Sequence, residues 1–135
     1  MSRSLLAGVV LSLIGALAAT GEEHMTTVAM ATSIGEGSDQ EVAKLYESGW
    51  TKLVQITLRN GKTLASHVAK EAVTIQCVSG QGVLVVGEER VALAPGVIVP
   101  LEPNVPHAVE AKPAVSVLVT RFLPATAGKG DEHHH

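Results

Sequence analysis

His67 and His107 are the side chains of this sequence best suited to chemistry. An imidazole titrates near neutral pH, so it can move a proton, accept a hydrogen bond or ligate a metal. It can equally well donate to a backbone carbonyl and pack, and for either histidine alone that plainer role is the ordinary one. Ser66 precedes His67, but neighbouring strand residues point to opposite faces, so adjacency makes no nucleophile–base dyad. No GxSxG elbow, P-loop or GxGxxG run is present, and Gly80-Gln81-Gly82 is accounted for by a turn. Cys77 is the only cysteine, which excludes an intrachain disulfide. Within a Val/Ile-rich run it reads as a small buried hydrophobe. His133-His134-His135 ends the chain and reads as a solvated tail or a shortened tag, outside any site.

The elements that must position the two histidines are short and β-like. Leu53 to Leu58 has strand character, and Asn60-Gly61 is a hairpin turn signal. Val73, Ile75 and Cys77 alternate with Thr74 and Gln76. The chain is then expected to turn at Ser79-Gly80-Gln81-Gly82, run through Val83 to Val86, and turn at Gly87-Glu88-Glu89 into Arg90 to Leu93. Pro95-Gly96 turns into Val97 to Val99, and a Pro-rich loop over Pro100 to Pro106 precedes His107 to Ala111 and Val115 to Phe122. Strands at this spacing, punctuated by Gly and Pro, predict a sandwich or barrel rather than a βαβ fold. Before them, Ser38 and Glu41 have capping-box spacing, Val42, Leu45 and Tyr46 recur at helical spacing, and Gly49 suits a helix C-terminus. These features predict a short amphipathic helix over about 39–48.

Two glycine-to-histidine intervals stand in register along this series. Gly61 is followed six positions later by His67, with Gly80 closing the unit, and Gly96 is followed eleven positions later by His107. Over residues 50–122 the pattern resembles the two-motif signature of the cupin superfamily, closest to small single-domain cupins. The resemblance implies an all-β fold, a small antiparallel β-barrel of jelly-roll type, here with the short N-terminal helix added. His67 matches the first histidine of the first motif and His107 the histidine of the second, on strands that face each other across the lumen in that family. The departures are as informative. Ala69 fills the second histidine position, Val73 the glutamate position and Ala111 the terminal asparagine position, so two of the family's four metal ligands are missing. Asn104 stands at a glycine position, where Asn tolerates left-handed backbone. Glu71 lies just off the glutamate position, either turned inward to complete a ligand shell or solvated beside Lys70.

What the resemblance implies is a divalent transition metal weakly held by His67 and His107, or a small ligand beside them, with Val73, Glu71, Ile75 and Val105 lining the lumen and Val109 among its apolar residues. Two imidazoles are fewer than the three or four donors by which transition-metal sites gain selectivity. Cys77 lies four residues beyond Val73, about 13 Å at strand rise, too far to share that shell. The expected function is a non-catalytic module binding a small molecule and a divalent metal in the lumen; the alternatives are a metal-dependent cupin enzyme of oxygenase, isomerase or lyase type, and then a dimeric structural module.

Composition narrows the partners. The chain has 135 residues and a net charge of −3, without a block of Lys or Arg, which argues against nucleic acid. Tyr46, Trp50 and Phe122 are the only aromatic residues, so the core must be aliphatic and no stacking platform exists. Residues 1–24 read as a signal peptide or leader, with Arg3, an apolar stretch from Leu5 to Ala19, and Ala16-Leu17-Ala18 as a cleavage pattern. A periplasmic or secreted protein without membrane attachment after leader removal follows from that reading; a cytoplasmic one follows if Met25 is the true start. Residues 25–37 are expected as a linker, 38–124 as the barrel with its leading helix, and 125–135 as a disordered tail. Val-rich edges make a homodimer the expected assembly.

Overall fold

A computed structural model describes residues 25–124; the expected leader and tail lie outside them. Among the described residues seven strands form all of the regular structure: β1 (Gln40–Glu47), β2 (Thr51–Leu58), β3 (Thr63–His67), β4 (Ala72–Val86), β5 (Glu89–Leu93), β6 (Ile98–Leu101) and β7 (His107–Phe122). All pairings are antiparallel, in the order β1-β2-β7-β4-β5, with β3 added to β7 and β6 to β4.

Two long strands, β4 and β7, organise the barrel, because each pairs with different neighbours along its two halves. The C-terminal half of β7 lies between β2 and the first half of β4, while its N-terminal half pairs with β3 and the second half of β4. The turn expected over 79–82 is instead a bend inside β4, with register shifts between Cys77 and Ser79 and between Gly80 and Gly82. The glycines there serve close approach rather than chain reversal. Gly80 has φ +77°, and a Cβ on it would collide with the carbonyl oxygen of Ala114; one on Gly82 would lie 2.5 Å from the carbonyl oxygen of Glu110. Likewise 107–111 and 115–122, expected as separate strands, run on as β7. The Asn60-Gly61 turn forms with φ of 57° and 69°, closed by Lys62 N–H donating to the Arg59 carbonyl, but it is not the expected hairpin: β2 and β3 do not pair with each other, and each lies against β7 instead.

The helix expected near 39–48 is strand β1. It pairs with β2 from Gln40 opposite Leu58 to Glu47 opposite Lys52, with a register shift between Lys44 and Tyr46. A one-residue shift in a strand moves side chains to the other face, so Val42, Leu45 and Tyr46 mimic helical spacing without a helix. An isolated helix this short is marginal in water, whereas the strand satisfies the open edge of β2. The capping residues are also used otherwise: Ser38 Oγ donates to the Gln40 carbonyl, and Glu41 takes a hydrogen bond from Arg59.

Period-two alternation decides what each face of the sheet does. Val115, Val117 and Val119 of β7 point inward with Ile56 and Leu58 of β2 and Val73, Ile75 and Cys77 of β4. Full burial of each such aliphatic side chain stabilises the fold by roughly 1.5–3 kcal/mol. The opposite face of β2 and β7 carries Gln55, Thr57 and Ser116, joined side chain to side chain and buried. Residues 25–38, irregular in conformation, cross that face. The Gln55 amide pairs with both backbone groups of Ala31, and Arg59 donates to the carbonyls of Ile34, Gly35 and Ser38.

Candidate functional site

Among the described residues the inward face borders a half-open, mostly apolar cavity of about 190 Å³. Val54 and Ile56 of β2, Val73 and Ile75 of β4, and Val109 and Val119 of β7 form its walls. His67, His107 and Arg121 bring the polar atoms. His67 and His107 do meet, but not across the lumen. They are register partners on neighbouring strands β3 and β7, with ring centroids 4.4 Å apart and planes tilted by 57°.

A bulge produces that meeting. Leu64 lies opposite Val109, so an unbroken antiparallel ladder would set Ser66 opposite His107. The register shift between Leu64 and His67 inserts one residue and brings His67 there instead. Each ring is then oriented by the carbonyl two residues before it, in β3 for His67 and in the loop leading to β7 for His107: His67 Nδ1 lies 3.1 Å from the Ala65 carbonyl oxygen and His107 Nδ1 lies 2.9 Å from that of Val105. His67 is exposed at the mouth, while His107 is 5% exposed. Burial holds the His107 imidazole below its usual pKa, partly offset by the Val105 carbonyl, with a further lowering from His67.

Of the other expected lining residues, Val73 and Ile75 face the cavity, as does Val109. Val105 contributes its carbonyl to His107 rather than its side chain to the wall. Glu71 is also not part of the wall. It accepts hydrogen bonds from Nε and Nη2 of Arg121 at 3.1 and 2.7 Å, and this contact, against a smaller opposing effect of burial, holds its carboxyl below the usual carboxylate range. Neither expected fate of Glu71, a place in a ligand shell or solvation beside Lys70, is the one observed: its side chain is 16% exposed and held by Arg121. Cys77 is fully buried beneath the site, its thiol pushed up by desolvation, in keeping with a structural role. Among the described residues no three His, Cys, Asp or Glu side chains converge to hold a metal ion.

Arg121 is the polar site residue that sequence reasoning missed, together with the wall residues Val54, Ile56, Leu64 and Val119. The signal was available: Val115, Val117 and Val119 alternate inward, and the same period carries the inward face on to Arg121.

A family model described as AraC-like ligand binding domain matches residues 57–129. An RmlC-like cupin from Desulfovibrio desulfuricans is 23% identical with a TM-score of 0.59, covering 76% of this chain and 96% of that one. An RmlC-like cupin with a double-stranded β-helix fold from Methanocaldococcus jannaschii is 15% identical with a TM-score of 0.63, covering 76% and 94%. Salicylate 1,2-dioxygenase from Pseudoaminobacter salicylatoxidans is 15% identical with a TM-score of 0.59, covering 62% of this chain and 25% of that one. These likenesses establish the cupin fold. No curated protein matches the chain.

Proposed function

Because the chain belongs to the AraC-like ligand-binding domain family, we propose that it is a binding module, a small cupin domain holding one small, largely apolar molecule beside His67 and His107. The carrying observation is the aliphatic cavity with an imidazole pair at its edge. An apolar cavity of about 150 Å³ accommodates benzene, so about 190 Å³ takes a single ring or a short branched chain. Amide NMR titration with one-ring and branched-chain fragments is the test. Saturable shifts at Val73, Ile75, Val109 and Val119 are expected; a fragment set that moves none of them would refute lumen binding.

The runner-up, a metal-dependent cupin enzyme, is tested by the donor set. Both Nδ1 atoms are anchored on carbonyls, an arrangement typical of metal-ligating histidines, so each ring would offer Nε2. Two nitrogens do not fit a resident transition ion, and Glu71 is committed to Arg121. A divalent ion would be held weakly, its shell completed by water or ligand. Metal analysis of protein lacking residues 133–135 separates the readings. Stoichiometric Fe, Mn, Ni, Cu or Zn, lost in both His67→Ala and His107→Ala, would put the enzyme first.

A homodimer is supported by exposed apolar side chains on the other side of the barrel. Trp50, Phe122 and Val28 border a shallow depression there with Tyr46 and Leu53, away from the histidines. Sedimentation showing only monomer at high concentration would remove it.

A further inference from the structure

A carbonyl oxygen can only accept a hydrogen bond, so the nitrogen facing it must carry the proton. Both rings turn Nδ1 to such an oxygen, that of Ala65 for His67 and that of Val105 for His107. In the uncharged rings Nε2 is then a bare lone pair, and neither Nε2 has a partner among the described residues. Ser79 Oγ is the one fully buried side-chain polar atom without a partner among those residues. The Nε2 of buried His107 therefore opens onto free space, and the free space bordering that ring is the lumen. Two adjacent acceptors repel a carbonyl or carboxylate and call for a donor.

Arg121 presents the opposite demand to the same cavity. Its Nε and Nη2 are taken by Glu71, while Nη1 has no partner among the described residues and can only donate. The Glu71 carboxylate cancels the guanidinium charge. An anion would lose its water for little net attraction, whereas an uncharged carbonyl oxygen is desolvated at small cost. The remaining wall is aliphatic, and its volume admits about eight non-hydrogen atoms, by comparison with the six-carbon ring that a smaller cavity accepts.

We propose that the lumen selects an uncharged aliphatic hydroxy-carbonyl compound, its hydroxyl donating to the His67–His107 pair and its carbonyl accepting from Arg121. This rests on the lumen-binding reading and adds the ligand's class to it.

Three probes of equal heavy-atom count test it: diacetone alcohol, methyl neopentyl ketone, which replaces the hydroxyl by methyl, and β-hydroxyisovalerate, which replaces the acetyl group by carboxylate. Each is titrated by amide NMR in the presence of chelator at about pH 8, above the ordinary range of an imidazole. Diacetone alcohol is expected to bind at least about fivefold more tightly than either of the others, the worth of one hydrogen bond. His67→Ala, at an exposed position, is expected to reduce its advantage over the ketone. Ring nitrogen correlations on the free protein are expected to show the Nδ1–H form for both histidines. An Nε2–H form in either ring, equal binding of the ketone, tighter binding of the carboxylate, or an advantage unchanged in His67→Ala would each overturn the ligand class, with lumen binding intact. Saturable shifts from none of the three would remove the lumen-binding reading as well.

Discussion

His67 stands directly opposite His107, on the strand beside it, because one extra residue in β3 displaces Ser66 from that place. The cavity's polar edge thus depends on a backbone irregularity as much as on the two side chains. Bulges near sites re-aim side chains in this way, and a one-residue slip would turn the whole strand's pattern over.

Deleting Ser66 tests this directly. The shortened β3 is expected to pair regularly with β7 and still bring His67 opposite His107, so the ring-to-ring nuclear Overhauser contact persists. Deleting Ala65 and Ser66 together puts the imidazole on the wrong parity, and that contact is expected to vanish while the amide pattern of β2 and β4 stays.

The buried His107 ring makes stability fall on acidification. Its folded pKa is lowered, so between the folded and unfolded values the unfolded chain binds more protons. The stabilisation is complete above the unfolded value, near 6.5, and is lost as pH falls through the folded one. Urea unfolding from pH about 7.5 down to about 5 is expected to show this slope, and His107→Gln to flatten it. Parallel curves for the two proteins would contradict it.

Arg121 and Glu71 are expected to couple by about 0.5–1.5 kcal/mol in a double-mutant cycle of Arg121→Met and Glu71→Gln. The range is kept low because the Arg121 side chain is 32% exposed and solvent screens the pair. The coupling should weaken as pH falls through the lowered Glu71 pKa, since a protonated carboxyl no longer holds the guanidinium by charge. A coupling indistinguishable from zero at neutral pH would show that the pair does not hold that part of the barrel.

Gly80→Ala should be among the costliest small substitutions in the barrel, at about 2–4 kcal/mol in chemical denaturation. It combines a left-handed φ with a collision against the Ala114 carbonyl. Gly61→Ala shares the positive φ but meets nothing within 4 Å, so it should cost only about 1 kcal/mol. Equal losses at the two positions would mean that strand approach is not what Gly80 provides.

Much of the architecture was legible in the residues because it is set locally. Asn60-Gly61 can hardly be anything but a tight left-handed turn, and the alternation of Val73, Ile75 and Cys77 specifies one buried face at any register. Where the reading erred, pairing partners distant in sequence had overruled a local pattern. Residues 40–47 carry helical spacing, yet the unpaired edge of β2 claims them as a strand. Residues 79–82 look like a turn, yet β7 passes close enough to keep β4 continuous through them.

The site divides along the same line. The aliphatic character of the cavity, the pair of imidazoles and the loss of two family ligands are matters of residue type, which the sequence alone determined. That His67 lies beside His107 rather than across from it, that both rings direct Nδ1 to backbone, and that Glu71 is taken up by Arg121 fifty residues away were decided only by the tertiary structure. Residue types set which contacts are favourable, but a bulge and a strand register set which of them are within reach.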